Sequence, residues 1–227
     1  MPIGPFTKTA QNVIDRVKRQ FGDESGAQVT DSDIISWINS GQQEINRQQR
    51  IIKNTATSPT VIGTRVYIFP TPRIMHIELL KYNGSPLKYM SFNDAQEYIT
   101  INDPNNVQTG TPIYWWEWGG QLELYPTPDA VGTLTLYYVE YPADVTLASD
   151  ILTIPDSYFD TLLQYCMAQA YEQDDDWTGS SQKAAQMKES LGVLSEDAQR
   201  YGRQFYPSIV TLDDDWSGGY AGWWPGP

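Results

Sequence analysis

The chain has one cysteine and one histidine in 227 residues. A single cysteine excludes a disulfide framework within the chain and fits a reducing compartment. A single histidine leaves His-based metal sites and Ser-His catalysis with one candidate, His76, in mid-strand. Cys166 sits in an apolar helical stretch beside Tyr165 and Met167, where an inert buried thiol is expected. Charge is also sparse: 19% of residues, against roughly a quarter in ordinary globular domains. Cations are the scarcer sign, 15 against 28 acids, for a net charge of −13. Such a chain is poorly equipped to grip phosphate backbones, which clustered Lys and Arg hold. It is better suited to repel DNA or to meet a basic protein surface. No apolar run approaches the roughly 20 residues needed to span a bilayer. The segment MPIGPFTKTAQ has no signal-peptide core, so a soluble protein made in a cytoplasm is expected.

Catalytic and cofactor patterns are missing as well. There is no Walker A loop, GxGxxG, HExxH or GxSxG. The acidic run from Asp174 matches a calcium loop at Asp176, Thr178 and Gly179, but Ala185 stands where a bidentate Glu is required. No catalytic, cofactor-binding or metal-binding residue is assigned, no cofactor is implied, and an enzyme is not expected.

Aromatic residues are plentiful: 13%, with eight Trp and fifteen Tyr, a profile of sheets and interfaces. Helical periodicity marks residues 8–21, with Ala10, Val13, Ile14, Val17 and Phe21 on one side. A polar turn, Gly22–Gly26, precedes a second helix over Thr30–Arg50. Thr30 and Asp33 there fit a capping box, and Ile34, Ile38, Gly41 and Ile45 form the apolar stripe. The rest of that helix is rich in amides: Asn39, Gln42, Gln43, Asn46, Gln48 and Gln49, with Arg47 and Arg50 near the end. Amides bond a neighbour without the desolvation cost of buried charge, so this side reads either as solvated or as a surface for another chain.

From about residue 64 the period becomes two. RVYIF and IMHIELLKY read as strands, and Ser91–Ile101 as a short helix. IYWWEWGGQLELYP reads as a hairpin turning at Gly119-Gly120. TLTLYYVEY then completes an antiparallel meander, with no strand–helix–strand alternation to suggest parallel pairing. Trp115, Trp116 and Trp118 alternate across the hairpin, so one face is expected in the core and the other exposed or covered by a second subunit. Helical period returns at Ile154, with Pro155 at the first helical position and Phe159, Leu162, Leu163, Cys166 and Ala170 as its stripe. A last helix capped by Ser180 or Ser181 carries Ala184, Met187, Leu191, Leu194, Ala198 and Tyr201. Residues 206–227, with many Gly and Pro and three Trp, read as an extended arm.

The expected class is α+β, mainly helical. Residues 1–53 and 151–205 form a bundle of about four helices, 54–150 an inserted antiparallel β-rich lobe, and 206–227 an extended C-terminal arm.

The order of motifs resembles tailed-bacteriophage head-to-tail adaptor (connector) proteins. The D-x-x-I-x-x-W-I-N-x-G-Q-x-E-I-like helix matches Asp31 to Ile45. The Y-x-x-P-like strand end matches Leu124-Tyr125-Pro126, the following strand matches LTLYYVEYP, and the I-P-x-x-Y-x-x-x-L helix matches Ile154 to Leu162. The likeness runs from about Gln11 to Tyr201. It implies a structural virion protein at the head–tail junction, assembled in the bacterial host cytoplasm. Its copies would form a homo-oligomeric, usually dodecameric ring under the portal protein. That ring would meet the next tail or stopper protein and leave a channel through which DNA passes unbound, without contact to membrane. Gln42, Gln43, Asn46, Arg47, Gln49 and Arg50 are the candidates for subunit contact. Asp213, Asp214, Asp215, Trp216, Trp223 and Trp224 are the candidates for docking on the portal or another partner. The alternative is a tail or baseplate module that stacks carbohydrate on Trp115, Trp116 or Trp118.

Overall fold

The computed structural model describes residues 5–68, 73–105 and 107–205, with side chains as far as residue 195. In chain order its elements are α1 (Ala10–Phe21), α2 (Asp31–Gln49), β1 (Lys53–Pro59), β2 (Val66–Tyr67), β3 (Ile74–Tyr82), β4 (Ser85–Pro86) and β5 (Lys88–Tyr89). These lead to α3 (Phe92–Asn102), β6 (Thr109–Gly110), β7 (Tyr114–Trp118), β8 (Gln121–Tyr125), β9 (Thr127–Pro128) and β10 (Thr133–Glu140). A 3₁₀ turn, Asp156–Tyr158, then precedes α4 (Phe159–Gln173) and α5 (Trp177–Phe205).

The capping box of α2 forms as expected. Thr30 Oγ1 accepts from Asp33 N at 3.3 Å, and the Asp33 carboxylate accepts from Thr30 N at 3.1 Å. At the other end Arg50 takes the left-handed conformation (φ 49°) and returns its N–H to Asn46 O. Ile34, Ile38 and Ile45 are fully buried. They share one apolar cluster with Val13, Ile14 and Val17 of α1, Leu162 and Cys166 of α4, and Met187 and Leu191 of α5. Gly41 lets α2 and α4 approach closely: a Cβ there would lie 2.6 Å from a Leu162 methyl and 2.8 Å from the Tyr165 ring. α2 runs antiparallel to α4, with its start near the α4 end, where Gln173 Nε2 donates to Gln28 O at 3.0 Å.

Two boundaries differ from expectation. Pro155 precedes a 3₁₀ turn rather than opening α4. α5 begins at Trp177, earlier than a cap at Ser180 or Ser181 allows, because Asp176 caps it by accepting from Gly179 N at 2.9 Å.

The strands form two four-stranded sheets, ordered β1-β10-β3-β4 and β2-β8-β7-β5, and a small pair, β6-β9. The expected hairpin of β7 and β8 is present, with Gly119 and Gly120 both at positive φ. The meander is not. β10 leaves the hairpin's sheet and pairs with β1 and β3 in the other. Central placement explains this, since Leu134, Leu136 and Tyr138 of β10 are all buried between the sheets with Leu80, Tyr82 and Trp115. Two parallel pairs also occur, β5 with β7 and β6 with β9, each two residues long. Of the RVYIF strand, Val66–Tyr67 are paired among its described residues, and Phe69 lies outside them. The fold is therefore mixed α+β, with helix in less than half of the described residues.

Candidate functional site

The amide-rich side of α2 is the most distinctive feature near the sequence-predicted site. Asn39, Gln42 and Asn46 fall at i, i+3 and i+7, so they form one stripe along the helix. The structure turns that stripe inward. Asn39 Nδ2 donates to Val145 O at 3.0 Å, and its Oδ1 accepts from Val145 N at 2.8 Å. Gln42 Oε1 accepts from Thr153 N at 2.8 Å and Thr153 Oγ1 at 2.9 Å. Asn46 Oδ1 accepts from Ile51 N at 3.0 Å and Ile52 N at 2.9 Å, while Nδ2 donates to Glu140 O at 2.7 Å. These amides fasten α2 to the segment that returns from β10 toward α4. Asn39 and Gln42 satisfy backbone groups between β10 and α4, and Asn46 ties the turn after α2 to the end of β10.

Two of the subunit-contact candidates are thereby corrected. Gln42 and Asn46 have no exposed surface and spend their hydrogen bonds inside their own chain. Gln43 and Gln49 are half-buried, and Gln49 Nε2 donates to Leu191 O of α5 at 3.3 Å. Arg47 and Arg50 are exposed; Arg47 pairs with Glu44 on its own helix. The inward turn could have been read from the sequence, because Asn39, Gln42 and Asn46 keep the spacing of a second buried stripe. Asp213, Asp214, Asp215, Trp216, Trp223 and Trp224 lie outside the described residues.

The hairpin tryptophans are also placed differently from expectation. Trp115 and Trp116 point to opposite faces of β7, and both are buried. Trp115 joins the core between the two sheets. Trp116 is covered by Ala95 and Ile99 of α3 and by the Arg65 guanidinium, 4.6 Å from its ring. Only Trp118 is exposed, and it stacks on Phe92 with ring centroids 4.1 Å apart. Of the three indoles offered for stacking carbohydrate, two are therefore closed off and Trp118 alone stays open at the surface.

The remaining candidates for chemistry are placed as follows. Cys166 is fully buried, and burial pushes its thiol up, away from the reactive thiolate. His76 is exposed on β3. Among the described residues no group of three or more His, Cys, Asp or Glu is arranged to hold a metal ion, and no helix is long and apolar enough to cross a membrane. An open groove of about 490 Å³ runs beside α1. Lys8, Arg16 and Arg19 line it with Asp15, Asp156 and Asp160, so its charges balance. Arg16 pairs with Asp160 at 2.9 Å, and Asp156 binds Thr7 and the Lys8 N–H.

Two carboxylates organise loops around these elements. Asp23, just past α1, accepts from Ala27, Gln28 and Val29 N–H at 2.7–3.0 Å. Asp103, just past α3, accepts from Val107 and Gln108 N–H at 3.1 and 2.9 Å. In both cases the backbone donors hold the carboxyl below its usual range. Their work is structural.

No curated protein matches the chain. A protein-family model, SU10 adaptor protein, matches residues 8–210. That span takes in the capped α2, the whole β region, and both α4 and α5. The chain belongs to the SU10 adaptor protein family, a family of phage head-to-tail adaptors.

Proposed function

We propose that this chain is the head-to-tail adaptor of its virion and that its copies form a dodecameric ring under the portal protein, joining it to the next tail or stopper protein around a channel for DNA. The family match over residues 8–210 carries this reading. The net charge of −13 supports it, because an acidic wall lets DNA slide past without capture. The helices α1, α2, α4 and α5 serve as one bundle unit, residues 54–150 as an inserted lobe, and residues 206–227 as an arm. Lateral contact falls to the outward Arg47 and Arg50 with the half-buried Gln43 and Gln49. Asp213, Asp214, Asp215, Trp216, Trp223 and Trp224 dock on the portal or a neighbouring copy. Assembly takes place in the host cytoplasm.

Electron microscopy of the protein with its cognate portal tests this. A ring seated on the portal is expected; failure to form a ring, alone and with the portal, defeats the reading. A monomer in the absence of portal does not count against it.

A further inference from the structure

The sheet β1-β10-β3-β4 has two borders, and one of them is guarded. On the β3 side the pairing with β10 shifts register twice, β4 covers Lys81 and Tyr82, and exposed Glu78 puts a charge on the strand. Bulges, short outer strands and charge are the usual means of keeping an edge single. β1, on the other side, has none of them between Asn54 and Ser58: no charge, no register shift and no proline. Its backbone shows which groups remain available. Glu140 N donates to Ile52 O and Thr60 N donates to Gly132 O, each at 2.8 Å. Bonded positions alternate in an antiparallel ladder, so Asn54, Ala56 and Ser58 bond to β10. The N–H and C=O groups of Lys53, Thr55 and Thr57 therefore face away from the sheet. Thr55 agrees with this direction, since its N–H turns to the side-chain oxygen of Asn54 at 2.8 Å. Pro59 takes the next outward position and has no N–H, so it ends the row.

We propose that two copies of this chain pair through β1, antiparallel about a two-fold axis at Thr55, and join their sheets into one. The strand is complementary to itself in this register. With Thr55 against Thr55 of the second copy, Lys53 meets Thr57 and Thr57 meets Lys53. Every outward donor of both strands is then used, and each pair exchanges both N–H···O bonds. The side chains beside that ladder, Lys53, Thr55 and Thr57, are exposed, and no like charges stand opposite. Charge selects the direction. Antiparallel pairing carries the exposed Arg50 of each copy toward the far end of β1 in the other. There Gly63 N donates to Pro128 O at 2.9 Å, which brings in the loop with exposed Asp129. The two-fold axis makes that contact twice. Parallel pairing would instead set Lys53 against Lys53 and Arg50 against Arg50. A contact of seven residues a side is well below the roughly 20–30 of a standard interface, so the pair forms and parts with concentration. A cyclic ring joins neighbours head to tail, without a two-fold contact between them. The β1 pair therefore belongs to chains not yet in a ring and does not rest on the adaptor reading.

Cysteine crosslinking of the full chain tests the pairing. The Cα atoms of a bonded antiparallel pair lie about 5.5 Å apart, within disulfide reach. The natural Cys166 is fully buried and does not compete. Under a mild thiol oxidant, Thr55→Cys is expected to form a covalent dimer at least about tenfold faster than Lys53→Cys, whose two copies stand more than about 13 Å apart. Equal rates overturn the proposal. Should Thr55→Cys disturb the strand, amide hydrogen exchange on the natural chain decides. The Lys53 and Thr57 amides are expected to exchange about tenfold more slowly at about 1 mM protein than at about 1 μM, while Asn54, Ala56 and Ser58 keep their protection. Exchange at Lys53 and Thr57 that ignores concentration overturns the proposal as well. Arg50→Asp should slow the Thr55→Cys crosslink, and adding Asp129→Arg should restore it; no recovery overturns the antiparallel orientation. A ring seated on the portal together with no preferred crosslink at Thr55 defeats the β1 pair and leaves the adaptor reading standing.

Discussion

The helical part and the β lobe face the same problem, fastening loops whose backbone groups lie outside helix or sheet, and they solve it with different side chains. Around α2 the fasteners are amides: Asn39, Gln42 and Asn46 between them reach Val145, Thr153, Ile51, Ile52 and Glu140. In the lobe they are phenols. Tyr67 Oη accepts from Val61 N at 3.2 Å and donates to Thr64 O at 2.7 Å. Tyr82 Oη donates to Ala130 O at 3.2 Å, and Tyr125 Oη donates to Gln108 Oε1 at 2.5 Å. The loops account for the difference. Next to α2 the returning chain presents N–H and C=O together, and an amide carries both a donor and an acceptor at one tip. In the lobe the Tyr67 and Tyr82 rings fill apolar space between the sheets and the Tyr125 ring packs with Trp116 and α3, while each hydroxyl reaches a loop. The two regions agree in one device: Asp23 after α1 and Asp103 after α3 each collect N–H groups four and five residues on.

The largest expected effect comes from breaking the amide side of this comparison. Asn46→Ala removes one fully buried acceptor and one fully buried donor that serve three half-buried backbone groups. Each stranded group costs about 1–3 kcal/mol, so a loss of about 3–5 kcal/mol is expected in denaturant unfolding. A loss under about 1 kcal/mol would mean that the returning chain is held by its apolar contacts alone.

The paired aspartates come next, through pH. Both carboxyls titrate below their unfolded value of about 4, so each stabilises the fold above that pH. That contribution is lost as pH falls from about 4 through the lowered native value. Asp23, with three backbone donors and the Ser25 hydroxyl, should make the larger contribution. In an acid titration of unfolding free energy, Asp23→Asn should flatten the decline more than Asp103→Asn. Asp33, Asp150 and Asp156 are lowered too, so neither variant abolishes the decline. Equal slopes in the two variants would break the ranking by donor number.

The sequence showed the helices better than the sheets for a physical reason. Caps and apolar spacing are local, so Thr30, Asp33, Ile34, Ile38 and Ile45 announced α2 within a few residues. Strand partners are not local. Nothing near Thr133–Glu140 says that its neighbours are β1 and β3 rather than the adjacent hairpin. The burial of Trp116 likewise depends on where α3 lands, which its own residues do not state. The spacing of Asn39, Gln42 and Asn46 marks a second stripe, but amides are ordinarily exposed, and what buries these is backbone brought in by the fold: Val145 and Thr153 for Asn39 and Gln42, and Glu140 for Asn46.

A smaller effect is expected on the phenol side. Tyr67→Phe keeps the ring's packing and removes one hydroxyl, and the loop it serves lies at the surface beside exposed Val61. Water can then reach Val61 N and Thr64 O, so about 1 kcal/mol is expected, well below Asn46→Ala. Equal losses would show that burial of the served group does not distinguish the two regions.

Trp118→Ala should have the smallest effect. The indole is 59% exposed at the hairpin tip, and its main contact is the stacked Phe92 ring. An aromatic pair of this kind contributes about 0.5–1.5 kcal/mol beyond area, and exposure puts it near the lower end. Trp115→Ala is the proper contrast, because its indole is 5% exposed in the inter-sheet core and its loss should cost about 3–5 kcal/mol. A ratio near one between the two variants would contradict the separation of the hairpin into a buried base and a surface tip. The expected ratio assigns Trp115 to folding and leaves Trp118 as the hairpin indole open to another chain.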